Sequence, residues 1–311
     1  MGRLPDLTEH KRTLARAGAR VHTLTLSEFF SPSSSNTQAQ GRLPIVAAVS
    51  TARTSIVFLA VALAALLTFP PGAPAQENYE IQVYGYETVA PGHTMVELHS
   101  NFTVEGTKQT VDGVLPTEHA WHETVEITRG FTSWFETGFY IFTSARSGNG
   151  WDWVGDHIRP RFRVPESWHL PVGVSLSNEI GYQRRQFSSD TWTWEIRPII
   201  DKKQGRWYWS FNPTVDRSLR GPSVQKGFEF SPNFKVGYGL TKKVTAGFEY
   251  YGSLGPITGF DPFRDQQQQL FPTVDLNLSP RWEINCGVGV GMTRRTDHLI
   301  VKLILGYRFD F

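Results

Sequence analysis

The feature that most constrains the fold is an alternation of apolar and polar residues that returns along the chain and is clearest at its end. Between Leu299 and Phe311, every second residue is aliphatic or aromatic. The residues between them include Lys302, Arg308 and Asp310. Side chains of a β-strand point alternately to its two faces, so this segment predicts a strand with one apolar face and one largely polar face.

Twelve segments of this kind follow one another, which predicts an all-β fold. Their length of about 10 residues suits a strand that crosses a bilayer at a tilt. A soluble β-sandwich also alternates, but aromatic residues near strand ends and charges on the polar faces favour a transmembrane antiparallel up-and-down β-barrel of about 12 strands. The predicted strands are 93–104, 118–129, 134–145, 156–164, 170–183, 191–201, 207–217, 227–238, 243–252, 268–278, 282–293 and 299–311.

The gaps between these segments also alternate, with short turns on one side and mostly longer, polar loops on the other, as in outer-membrane barrels. An even number of strands places both ends of the barrel in the periplasm. Prolines interrupt several predicted strands, where they remove a donor from the β-ladder, and we expect β-bulges at these positions. They are Pro160, Pro198, Pro213, Pro232 and Pro272.

A leader precedes the barrel. The apolar run Ile56 to Phe69 spans only about 21 Å as a helix, short of a bilayer core of roughly 30 Å. Arg53 precedes it, and Ala73-Pro74-Ala75 has the form of a signal-peptidase site. We therefore interpret 53–75 as a signal peptide that is cleaved after Ala75.

The flanks of this leader are less regular. Residues 1–52 are polar, and we interpret them as an upstream extension, from either a mis-called start codon or a disordered leader. Residues 76–92 are assigned as a periplasmic lead-in to the barrel domain 93–311. A tail, a small plug and a short strand all stay open for this segment.

Charge and cysteine content exclude several classes of function. Removing residues 1–75 takes away 7 basic and 3 acidic residues, which leaves 24 basic and 26 acidic residues, a net charge of −2. No basic excess supports nucleic-acid binding. Cys286 is the only cysteine, so it cannot form an internal disulfide, and no Cys/His spacing indicates a metal site. No cofactor is expected.

The polar faces carry charges of both signs, which supports two interpretations. Arg159, Arg161 and Arg163 follow one another on one strand, and they predict a pore that attracts anionic solutes. The same side chains could instead pair with carboxylates and fill the barrel. The candidates for the lumen lining are Glu136, Arg159, Arg161, Arg163, Glu179, Glu195, Arg197, Lys302 and Arg308.

Two further functions are weighed against a channel. A membrane-embedded hydrolase needs a serine beside a histidine, and neither His99 nor His122 has a convincing serine partner in the sequence pattern. A structural or adhesive barrel without an open pore would use its outer loops, such as 253–267. We expect that the protein is not an enzyme and that it has no catalytic residues.

The carboxy-terminal third resembles a known family. The stretch Ser279 to Thr293, S-P-R-W-E-I-N-C-G-V-G-V-G-M-T, and the stretch Asp297 to Phe309 are similar to the tail of a bacterial outer-membrane family labelled MetA-pathway of phenol degradation, or transporter-type. The resemblance is strongest over the last third and extends from about residue 93. It implies an outer-membrane barrel that passes small hydrophobic or aromatic compounds, and it supplies no catalytic motif.

The sequence thus predicts a channel or facilitator for small solutes in a Gram-negative outer membrane. Its expected partners are outer-membrane lipids, periplasmic chaperones and the barrel-assembly machinery, with an unknown solute. Phe311 ends the last strand as a predicted assembly signal. Deleting Phe311 is expected to lower the amount of assembled barrel in the outer membrane, and normal levels would contradict this role.

Overall fold

The computed structural model describes residues 78–311, and these form a closed barrel of twelve antiparallel strands. Each strand pairs with its neighbours in the sequence, and β1 closes the barrel against β12. The predicted fold is therefore confirmed. The strands are β1 (Thr94–Glu105), β2 (Trp121–Thr132), β3 (Phe135–Arg146), β4 (Gly150–Arg163), β5 (Gly173–Gln183), β6 (Trp192–Gln204), β7 (Trp207–Arg220), β8 (Phe228–Gly239), β9 (Val244–Ser253), β10 (Gln267–Leu276), β11 (Trp282–Gly291) and β12 (Leu299–Phe309).

The alternation seen in the sequence separates the outside of the barrel from its lumen. On β1, Leu98 is 38% exposed while the next residue, His99, is fully buried. Leu98 pairs with Leu305 on β12 and with Val125 on β2, so apolar side chains are neighbours around the outer surface. Such a surface suits lipid contact, and the inward faces gather the polar groups.

Aromatic side chains form a girdle at each end of this apolar band. At one end, Phe135 packs on Phe162 and Trp207 on Tyr238, with ring centroids 4.8 Å apart in each pair. At the other end, Tyr182 contacts Trp192 with centroids 5.5 Å apart. Aromatic rings prefer the level of the lipid headgroups, so the two girdles mark the two membrane surfaces.

The two ends of the barrel differ in their connections. The end where β1 begins and β12 ends carries most of the short turns, such as 133–134 and 205–206, and we call it the periplasmic end. The opposite, outer end carries 106–120 and 254–266. The connection 147–149 is an exception, because β4 starts at Gly150 rather than near residue 156 as the sequence predicted. No helix within residues 78–311 is long and apolar enough to cross a bilayer.

The strand prolines are accommodated without the bulges that the sequence suggested. The register shifts lie elsewhere, for example between Thr103 and Glu105. Instead, the residue pairing skips Pro160 between β4 and β5, Pro198 between β6 and β7, and Pro272 between β10 and β11. The sheet therefore accepts these prolines by leaving local gaps in the ladder.

Two sequence predictions lie outside the described residues. They are the upstream extension 1–52 and the signal peptide 53–75, and residues 76 and 77 also precede the described part.

Residues 78–90 lie inside the barrel, and we call them the plug. Tyr79, Ile81, Val83 and Tyr84 are each at most 6% exposed, although none belongs to a strand. Of the three possibilities open from the sequence, the structure shows a plug, so the description of 76–92 as a periplasmic lead-in does not hold for these residues. The chain enters β1 from the periplasmic end, where Gly92 N–H donates to Gly130 O at 2.9 Å.

One glycine of β11 makes room for the core of the lumen. A Cβ atom at Gly289 would lie 2.2 Å from the Phe271 ring, which is fully buried. We expect Gly289→Val to destabilise the barrel by about 1–3 kcal/mol through overpacking, as measured by urea unfolding in detergent. Adding Phe271→Ala should restore part of the loss. If Gly289→Val alone matched the wild type, the close packing would be contradicted.

Candidate functional site in the lumen

The plug runs through the whole lumen. At the outer end, Asn78 Nδ2 donates to Asp297, in the connection between β11 and β12, and Asn101 Nδ2 on β1 donates to Asn78 O at 2.8 Å. At the periplasmic end, Val89 N–H donates to Glu136 on β3. From Asn78 to Val89, the chain therefore runs from the outer mouth of the barrel to its periplasmic end.

Side chains of the wall, rather than a β-ladder, hold the backbone of the plug. Asn212 on β7 binds Tyr84 twice, accepting from its N–H at 2.9 Å and donating to its C=O at 3.1 Å. Ser210 Oγ donates to the same carbonyl. Lys302 Nζ donates to Ile81 O at 3.0 Å, and Arg161 donates to the carbonyls of Gly85 and Glu87. This mode of attachment leaves the plug free of the sheet.

Two apolar clusters add to these polar contacts. Tyr79 packs with Tyr140, Phe142, Val154 and Phe187. Ile81 and Val83 pack with Tyr251, Phe271 and Ile300 in a second cluster. Tyr140 and Phe142 of the first cluster, and Tyr251, Phe271 and Ile300 of the second, lie on inward faces that the sequence pattern described as polar. The plug supplies the second apolar surface of each cluster.

The arginine ladder is paired with carboxylates. Arg159 binds Glu126 on β2, and it also lies 3.5 Å from Glu136 on β3. Arg161 Nε lies 2.7 Å from the same Glu136 carboxylate. Arg163, nearer the periplasmic rim, lies 3.6 Å from Glu166 and donates to Ser133 O. The ladder therefore holds together the wall and the plug, and it presents no free row of cations to a solute.

The other predicted lining residues also lie on inward faces with partners. Arg197 Nε is 2.7 Å from Glu195, and its Nη1 is 3.7 Å from Glu80 of the plug. Glu179 Oε1 lies 2.5 Å from His157 Nδ1. Arg308 is 2.7 Å from Glu283 near the periplasmic end.

Lys302 belongs to a buried charge network on the inner face of the wall. It is 1% exposed and binds Glu249 on β9, whose other oxygen lies 3.0 Å from Lys235. Lys235 in turn lies 2.7 Å from Asp275 on β10. Glu126 was absent from the charged candidates of the sequence analysis, although it falls on an inward position of β2.

The histidines do not assemble a hydrolase site in the described residues. His99 Nε2 lies 3.5 Å from Glu126, and both side chains are fully buried. Ser144 Oγ is 3.5 Å from His122 Nδ1 but donates to Trp121 O at 3.0 Å. Glu97, His99 and Glu126 offer ligand atoms within 4.8 Å of one another, a metal-type grouping that sequence spacing did not indicate.

The open space in the lumen is a cavity of about 340 Å³ between the plug and the wall, and it reaches the outer loops. Its lining is mainly polar, and serines from β7, β8 and the outer loops contribute. Acidic residues outnumber basic ones: Arg197, Lys226 and Arg295 face Glu80, Glu179, Asp190, Glu195, Asp216, Glu229, Asp261 and Asp265. The field in this space therefore favours cations, opposite to the anion preference that the arginine ladder had suggested.

The outer anchor of the plug is expected to depend on pH. Burial raises the pKa of Asp297 to about 6, and its partners are Thr117 Oγ1, at 2.7 Å, and Asn78. A raised pKa in the folded state means that the protonated form is favoured there, so this contribution to stability is present below about pH 4 and falls as the pH rises to about 6. Asp297→Asn should remove this component from the pH dependence of urea unfolding between pH 4 and 7. Identical profiles for the variant and the wild type would contradict it.

Residues 165–309 match the model of the family described as "Putative MetA-pathway of phenol degradation". The family resemblance is confirmed. The match covers β5 to β12 almost completely. The closed antiparallel barrel and its apolar outer surface place the protein in the bacterial outer membrane.

Solved structures of outer-membrane barrels are similar at low identity. The COG4313 outer membrane channel from Pseudomonas putida F1 has a TM-score of 0.49 and 10% identity, over 74% of this chain and 100% of that chain. The KdgM porin has a TM-score of 0.44 and 10% identity, over 69% and 99%. The NanC porin has a TM-score of 0.44 and 7% identity, over 70% and 100%. The comparison with curated proteins gives no match.

Proposed function

We propose that this protein is an outer-membrane channel for small solutes that the plug closes in the described conformation. One observation carries the proposal. A cavity reaches inwards from the outer loops and meets the plug, which no β-ladder joins to the wall. A solute that enters the cavity is therefore separated from the periplasm by a segment that can move without breaking the sheet.

The strength of the plug contacts is consistent with a gate. A hydrogen bond that involves a charged donor contributes about 1.5–3 kcal/mol, and neutral ones contribute about 1 kcal/mol. The plug re-forms hydrogen bonds with water when it leaves, which lowers the net cost of each polar contact. Exposing Ile81 and Val83 from their apolar cluster adds about 1.5–3 kcal/mol for each side chain, so the plug opens rarely. The whole barrel stays intact because its twelve strand pairs do not include the plug.

Aromatic compounds are part of the proposal. The family description concerns phenol degradation, and Tyr79, Phe142 and Tyr251 line the cavity. These rings offer apolar faces beside the polar serine and carboxylate groups, so the space suits a small molecule with a ring and a polar group. We infer passage rather than catalysis, because the buried histidines described above lack an accessible serine.

Planar bilayers test the proposal. The purified full-length protein is expected to give brief, small ionic currents, since the plug leaves the lumen only part of the time. The matched comparison is the same detergent preparation without protein. The absence of any current over a range of voltages would overturn the channel and favour a filled, structural barrel.

A further inference from the structure

We infer that the floor of the outer cavity is a binding site for a small organic cation, such as a primary amine attached to an aromatic ring. The inference rests on the proposed function in so far as the bound cation would be the solute. It concerns three carboxylates that converge on the cavity from different elements. Glu80 comes from the plug, Glu179 from β5 and Glu195 from β6.

Charge at this floor is incompletely balanced. Among the arginines and lysines of residues 78–311, Arg197 is the one that forms an ion pair with any of the three, at 2.7 Å from Glu195 and 3.7 Å from Glu80. Glu179 has His157 as its partner. One guanidinium among three carboxylates leaves room for another positive charge.

Two buried oxygen atoms in this cavity lack a hydrogen bond. Glu179 is 8% exposed, and its Oε2 has no hydrogen-bond partner among the described residues, while Oε1 contacts His157. Asn233, on β8, is 6% exposed, and its Oδ1 is likewise without a hydrogen-bond partner there. Buried acceptors are normally satisfied, so these two oxygens are available to accept from the donor of a ligand.

The chemistry of the lining selects among cations. An ammonium group can donate to up to three acceptors, and an attached ring can pack on the aromatic side chains of Tyr79, Phe142 and Tyr251. A metal ion would need ligand atoms gathered around one point. Within the described residues, the trio close enough for that is Glu97, His99 and Glu126, which does not line this cavity.

Three ligands of similar size distinguish the effect of the ligand's charge on binding from the effect of its shape. Benzylamine, benzyl alcohol and benzoate are titrated into the full-length protein in detergent, with calorimetry as the readout. Benzylamine is expected to bind at least about tenfold more tightly than benzyl alcohol, and benzoate is expected not to bind. Binding should weaken at high salt, because part of it is electrostatic.

A single substitution tests whether the cation binds at Glu179. Glu179→Gln removes the charge and keeps the shape, so it should weaken benzylamine binding about tenfold, with little effect on benzyl alcohol. Glu283→Gln is the matched control, because Glu283 is an inward carboxylate outside this cavity, and it should leave the affinity unchanged. If Glu179→Gln fails to fold, the comparison of the three ligands on the wild type still decides whether the protein binds the cation in preference to the alcohol and the anion.

Equal affinities for benzylamine and benzyl alcohol, or tightest binding of benzoate, would overturn the site. Equal weakening by Glu179→Gln and Glu283→Gln would also overturn it. Failure of the channel is distinguishable: amine binding without current keeps the site and rejects the channel, whereas current without amine preference does the reverse.

Discussion

Proteoliposomes with the double variant Ser210→Ala, Asn212→Leu are expected to swell at least about tenfold faster in a small sugar than those with the wild type. The two side chains form hydrogen bonds to the N–H and C=O of Tyr84, in the middle of the plug. In the variant, these two backbone groups stay unsatisfied while the plug is inside. The two groups form hydrogen bonds with water when the plug leaves the lumen.

The size of this effect follows from the cost of unsatisfied groups. Each buried backbone group without a partner costs about 1–3 kcal/mol, and every 1.4 kcal/mol changes a population tenfold. The barrel itself should remain folded, because both residues keep their places in the strand and no ion pair is removed.

The control variant changes similar residues away from the plug. Ser177→Ala, Asn277→Leu alters an inward serine on β5 and an exposed asparagine in a periplasmic turn, and neither side chain forms a hydrogen bond to the plug within residues 78–311. It should swell at the wild-type rate. Equal rates for the test variant and this control would mean that the plug does not limit passage.

The largest stability effect is expected at Lys302. Lys302→Met leaves the Glu249 carboxylate buried with one of its two lysines, and it also removes the donor to Ile81 O. Breaking one member of a buried charge network typically costs about 3–5 kcal/mol. We expect a loss of this order in the free energy of unfolding, measured by tryptophan fluorescence in urea with the protein in lipid vesicles.

A second change tests the origin of that loss. Adding Glu249→Leu to Lys302→Met removes the unbalanced carboxylate, and Lys235 keeps Asp275 at 2.7 Å. The double variant should therefore lose much less stability than the sum of the two single variants. Additive losses would show that packing, rather than charge pairing, explains the role of Lys302.

The strands could be predicted because lipid imposes the same demand on every one of them. Leu98 and Leu305 must face the bilayer wherever the neighbouring strands lie, so their alternation is visible in the sequence alone. The start of β4 was misplaced because Trp151 and Trp153 belong to a strand that passes a register irregularity between Phe142 and Thr143 on β3.

The lumen could be predicted only in part. The sequence indicates that Arg159 points inwards, but its partner Glu126 lies two strands away, on β2, and such pairings depend on how strands tilt around the barrel. The plug does not contact lipid, so the requirement that sets the apolar–polar alternation of the strands does not act on it. Its position follows from partners such as Asn212, which lies 128 residues further along the chain.

The central claim is that movement of the plug opens this barrel, and photo-crosslinking during current recording tests it most directly. Tyr86, which lies beside Gly173 at the periplasmic end of the plug, is replaced by p-benzoylphenylalanine. Ultraviolet light then forms a covalent crosslink between the plug and the wall while currents are recorded. Mass spectrometry identifies the two crosslinked residues. We expect the currents to stop permanently after illumination. Currents that continue unchanged through molecules with a proven link between plug and wall would contradict the account.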